Sequence, residues 1–89
     1  MAKNPYADRI RNNTNRRRQL MNEIRSLRES KQREMASIDS SIRCAGDVNY
    51  RRSLRSQKAN TRDRYNAQIE RLRDQCMYIS EENRSLRCR

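Results

Sequence analysis

Tryptophan, phenylalanine and histidine are absent from this chain, and glycine and proline occur once each. With four tyrosines as its only aromatics and 33% hydrophobic residues, the chain has too little apolar bulk for a sheet sandwich or a compact globular core. Without histidine, a Cys–His metal site within one chain is excluded, as is the commonest general base. The three cysteines, Cys44, Cys76 and Cys88, are odd in number and spaced like no zinc motif, so reduced thiols are expected. No apolar run is long enough to span a membrane. No apolar leader follows Met1, which predicts a cytoplasmic protein, or one exported without a cleaved signal peptide.

Charge is what the chain has in abundance. Charged residues make up 37% of it, and the mean hydropathy is -1.40. Such a composition suits either a disordered chain or long solvated helices held along a narrow apolar seam. Apolar spacing decides between them. Tyr6, Ile10, Leu20, Ile24, Leu27, Met35, Ile38 and Ile42 recur at gaps of three, four or their sums, the signature of one helical stripe. Leu54, Tyr65, Ile69, Leu72, Cys76, Ile79 and Leu86 form a second stripe. Polar residues interrupt the first between Ile10 and Leu20 and again at Lys31.

Asn4-Pro5 is a helix start, with Asn4 accepting from first-turn N–H groups and Pro5 needing no donor there. Asp8 lies near the positive end of the helix dipole. The break falls at Cys44-Ala45-Gly46-Asp47: Gly46 is expected to turn left-handed and Asp47 to cap the second helix. The expected architecture is all-α, one domain over 1–89, with helices over about 5–43 and 48–87 joined by a turn at 44–47. In an antiparallel hairpin, facing residues have numbers of constant sum. Ile38 with Leu54, Leu27 with Tyr65, Ile24 with Ile69, Leu20 with Leu72 and Tyr6 with Leu86 all sum to 92 or 93, centred on Gly46. This register brings Glu81 and Glu82 within reach of Arg9 and Arg11, and Cys76 opposite Arg17. It brings no two cysteines together.

A lone hairpin buries one side of each seam residue. Each fully buried Leu or Ile contributes about 1.5–3 kcal/mol, against about 1.5 kcal/mol for ordering each residue. A partner that completes the core is therefore expected: a helical, acidic protein or a second copy of the chain. The seam residues Leu20, Ile24, Leu27, Ile38, Leu54, Tyr65, Ile69 and Leu72 are the candidates for that pairing.

No nucleophile–base–acid set, Gly-rich phosphate loop or cofactor motif is present, so neither catalysis nor a cofactor is expected. The net charge of +11, with arginine outnumbering lysine nineteen to three, attracts polyanions. Arg16, Arg17 and Arg18, with Arg51, Arg52 and Arg55 past the turn, are candidate phosphate contacts in a nucleic-acid-binding reading. The run from Arg9 to Arg18 resembles the basic region that precedes a leucine zipper. It departs from that pattern eight residues after Asn12, where Leu20 stands in place of an arginine. A structural coiled-coil subunit of a larger assembly is a further alternative.

Two long stripes, a mid-chain x-x-Gly at Cys44-Ala45-Gly46, Tyr50 four residues beyond it, and Tyr78-Ile-Ser-Glu-Glu82 near the end form a third pattern. Together they resemble the helical-hairpin superfamily of type VII secretion, whose members carry a Trp-x-Gly turn, and the accessory proteins of LXG toxins. The resemblance implies a partner that binds a secreted toxin's helical region and helps target it, with Tyr78 and Glu82 as a Tyr-x-x-x-Asp/Glu export signal. Cys44 stands where the family has tryptophan, and the chain is basic where family members are commonly acidic.

Overall fold

The computed structural model describes residues 4–89. Two helices account for nearly all of them: α1, Ala7–Cys44, and α2, Val48–Arg87. They pack along their whole length as an antiparallel hairpin, a rod of 73 × 15 × 11 Å. Its radius of gyration is 20.3 Å, against about 12 Å for a compact domain of this length.

Both ends of α1 differ from expectation in detail. Asn4 does not cap α1: its Oδ1 accepts from the Tyr6 N–H at 2.8 Å ahead of the helix, and the N-cap position falls on Tyr6, whose side chain makes no cap hydrogen bond. The turn over Pro5 and Tyr6 is the tighter i→i+3 kind, Ala7 N–H to Asn4 O at 3.0 Å, so the α ladder begins at Ala7 and not at Pro5. At the tip, α1 runs one residue further than expected, to Cys44. Gly46 does not turn left-handed: no glycine among the described residues has positive φ. Ala45 makes that conformation unnecessary. It leaves the helix in an extended conformation (φ -74°, ψ 126°), while its N–H still bonds back to Ser41 O at 3.0 Å and Ile42 O at 3.3 Å. Arg51 Nε then donates to the Ala45 carbonyl at 2.8 Å, tying the tip to the first turn of α2. Asp47 caps α2 as expected, its carboxylate accepting from Asn49 N–H at 3.1 Å.

The core is a thin seam. Leu20, Ile24, Ile69, Cys76 and Ile79 form its buried cluster, with Leu27 and Leu72 packed against it half-buried. Among the described residues, only Leu20 and Ile24 are almost wholly enclosed, at 1% and 2% exposure. Leu54 and Leu86 are buried towards the two ends, whereas Ile38 and Tyr65 keep part of their surface open.

Where the sequence stripe is interrupted, polar groups occupy the seam. Between Ile10 and Leu20, Asn13 Nδ2 donates to Asn83 Oδ1 at 3.0 Å. Asn83, 5% exposed, donates in turn towards Thr14 Oγ1 at 3.3 Å and Ile10 O at 3.4 Å. Cys76 points its Sγ at the Arg17 carbonyl, 4.0 Å away, in the register expected. The second interruption marks a phase shift. The inward positions of α1 step by four twice in succession, 27–31–35, and those of α2 do so at 61–65–69. The two shifts overlap and lie within about one turn of each other, and a step of this kind takes both helices out of a strict heptad. Thr61 is buried there, and Lys31 Nζ reaches sideways to Asn66 Oδ1 at 2.8 Å.

Gly46 has negative φ and nothing within 4 Å of where a Cβ would stand. Gly46→Ala is therefore predicted to stabilise the hairpin by about 0.4–1 kcal/mol, by restricting the unfolded chain. Urea denaturation followed by circular dichroism measures this, and a loss of stability would mean that the turn needs a left-handed residue after all.

Candidate functional site

Successive residues of a helix step about 100° round its axis, so each helix presents a seam, an outer back and two flanks. In the antiparallel pair the flanks combine into two broad faces. One carries Glu23, Glu34 and Glu82 with Arg9, Arg16, Arg64 and Arg71. Its ion pairs are Arg9–Glu82 at 2.6 Å and Arg64–Glu34 at 3.2 Å. The other carries the Lys58–Asp39 pair at 2.6 Å.

The first face holds an apolar trough. Leu27 and Leu72, half-buried, line a hollow of about 410 Å³ edged by Asn22, Glu23 and Ser26. A second hollow of about 440 Å³ lies further towards the open end, between Tyr78, Ile79 and Gln75, with Arg71 and Asp74 at its rim. Tyr78 is 68% exposed and stands outward from the seam. Towards the tip the same face opens into a wider polar hollow of about 810 Å³. There the small side chains of Ser37, Ser53 and Ser56 leave space between the helices. Arg64 stacks over the Tyr65 ring, 5.4 Å from its centroid. The Tyr65 phenol is raised above its ordinary pKa, first by desolvation and then by its hydrogen bond to Glu34.

The sequence-derived site residues are distributed unevenly. Leu20, Ile24, Leu54 and Ile69 are buried within the hairpin and offer nothing to a partner, whereas Leu27, Ile38, Tyr65 and Leu72 keep surface available. Tyr78 is accessible, and Glu82, one turn on, is held by Arg9 with 22% of its side chain exposed. Arg11 does not reach Glu81. Both lie on the outer backs of their helices, and Arg11 pairs with Asp8 at 3.6 Å instead.

The two arginine runs are not brought together. Arg16, Arg17 and Arg18 fan round α1 because neighbours in sequence are 100° apart. Arg51 is spent on the Ala45 carbonyl. The level of Arg51 along the rod is some 24 residues from that of Arg17, about 36 Å. Cys44 and Cys88 are exposed at opposite ends and Cys76 is buried, all three as free thiols.

Sequence reasoning overlooked Asn13 and Asn83. Their positions fit the spacing of the two stripes, Asn13 between Ile10 and Leu20 and Asn83 in 76–79–83–86, and only their polarity hid them. A paired buried amide in an apolar seam fixes register at some cost in stability. No protein-family model, curated protein or solved structure matches this chain.

Asn83→Leu is accordingly predicted to raise the urea midpoint while loosening alignment, with higher-mass species appearing in sedimentation velocity. A lowered midpoint with unchanged mass would show that the amide contributes net stability and does not set register.

Proposed function

We propose that this chain is a non-catalytic protein-interaction module that lays the trough of Leu27 and Leu72 against a helix of a protein partner. In its most specific form, this reading makes it an accessory protein of type VII secretion, binding the helical region of an LXG-type toxin and helping to target it. The observation that carries the reading is the incompleteness of the seam. Leu27 and Leu72 touch the core but remain half-open on one face, beside an outward tyrosine. A third helix seated over Leu27 and Leu72 would bury both leucines, anchors of the kind that dominate helix-in-groove recognition, and leave Tyr78 exposed at its edge. The polar rim of Glu23, Asn22, Gln75, Arg71 and Asp74 suits the edges of such a contact. The net charge of +11 favours an acidic partner and speeds encounter with it.

The secretion role rests on the hairpin built round a mid-chain turn and on Tyr78-x-x-x-Glu82 near the end of α2. Of that pair, Tyr78 is open to a receptor.

The test is calorimetric titration of the chain with the helical N-terminal region of an LXG toxin from the same host. A one-to-one complex is expected, weakened by about 2–4 kcal/mol in Leu72→Glu. No complex, or one indifferent to Leu72→Glu, contradicts the groove. Concentration-dependent dimerisation abolished by the same substitution would assign the trough to a second copy. Tyr78→Ala and Glu82→Ala are expected to reduce export of the complex, and unchanged export would remove the signal assignment.

A further inference from the structure

The face opposite the trough is unlike it in charge. On α1, Arg17, Arg25, Arg28 and Arg43 all point to this side of the seam, and on α2 so do Arg55, Arg62, Arg73 and Arg84. All eight are exposed. The acid among them, Asp39, is neutralised by Lys58 at 2.6 Å, and Arg62 is shared with its neighbour Asp63 at 3.3 Å. Glu29 lies round the back of α1, while Glu70 and Asp74 border the array beside Arg73, lining a hollow of about 360 Å³ with Asn66, Ile69 and Met77. Seven of the eight arginines have no ion pair among the described residues. On the trough face, two of the four arginines are paired, Arg9 with Glu82 and Arg64 with Glu34. The basic array continues from Arg84, level with residue 8, to Arg43 at the tip, about 50 Å at 1.5 Å per residue. At mid-rod it has a hollow of about 460 Å³, where Arg28, Lys31 and Arg73 surround Met35 and Ile69.

We propose that this arginine face binds the phosphate backbone of a nucleic-acid duplex, lying along about fifteen base pairs without reading their sequence. Three features select that ligand. The guanidinium predominates, and it engages phosphate through two parallel hydrogen bonds where an ammonium offers a point charge. The array is linear and its arginines far outnumber the carboxylates on its border, Glu70 and Asp74 beside Arg73, which suits a polymer with regularly spaced charges. No aromatic side chain lies on it: Tyr78 stands on the other face, Tyr65 in the seam, and Tyr6 and Tyr50 at the two ends. Single strands are held by stacking bases on such rings. This array offers charge without stacking, and a duplex with its bases already paired loses nothing by that. The site differs from the runs picked out in the sequence, since Arg16 falls on the other face and Arg52 on the outer back of α2.

Fluorescence anisotropy with a labelled random-sequence DNA duplex of about 20 base pairs tests the proposal. With about five phosphates neutralised, affinity should fall a few hundredfold between about 50 and about 200 mM salt, a log–log slope of about -4.5. Arg28→Gln, Arg55→Gln and Arg73→Gln together should reduce the slope to about -2. Arg16→Gln, Arg33→Gln and Arg89→Gln remove the same charge elsewhere and should leave it within one of the original. Circular dichroism confirms that both variants remain helical. Equal losses in the two variants would reduce the effect to net charge and overturn the proposal. So would a single strand or poly-glutamate binding as tightly as the duplex, or no binding at about 50 mM salt.

Discussion

Everything in this rod depends on one narrow contact, the antiparallel packing of Leu20 and Ile24 against Ile69, Cys76 and Ile79. Two helices alone cannot enclose a core. Each seam side chain is covered by the opposing helix and by its own neighbours, and the flanks stay open to solvent. That is why enclosure is complete only at Leu20 and Ile24, and why residues one step from the centre line remain half-buried. An open trough on one face results from having two helices and no third.

Because the seam is weakly apolar, alignment cannot rest on greasy contacts alone. Sliding one helix by a turn would exchange one leucine for another at modest cost. The amide pair Asn13–Asn83, the Arg9–Glu82 and Lys58–Asp39 bridges, and the Arg51 bond to the tip carbonyl each penalise such a slip. The exposed ion pairs contribute little individually, about 0–1 kcal/mol. Their value lies in being satisfied together in one register only. That register in turn divides the surface into a face of mixed charge round an apolar trough and a face on which arginine predominates. Any interaction the chain makes draws on that division.

Most of the fold was legible from the spacing of apolar residues. The stripes and the turn residues recover the antiparallel pairing, the place of the turn and the extent of α2, but several cross-helix bonds sit about a turn from the expected pairs, with Tyr65 bonded to Glu34 where Leu27 was expected. The α1 start and the tip conformation were misjudged because they depend on local hydrogen bonds with near-equal alternatives: a tight turn over Pro5, and an extended Ala45 in place of a left-handed Gly46. The site was much less legible. Runs such as Arg16–Arg18 catch the eye in a linear string, yet three neighbours on a helix face three directions. The basic face is assembled from residues 25, 28, 55 and 73, which are close only after folding. Asn83 was passed over because an amide in a polar chain carries no signal until its position is known to point inward.

The central claim is the hairpin register, and a distance measurement tests it most directly. Spin labels on Asn15→Cys and Met77→Cys, in a background of Cys44→Ser, Cys76→Ala and Cys88→Ser diluted with unlabelled protein, sit level across the rod. With helix axes about 8–10 Å apart, pulsed electron resonance should give a separation under about 35 Å. A separation near 90 Å, the rise of an uninterrupted helix over the same residues at about 1.5 Å each, would contradict the hairpin and both faces built upon it.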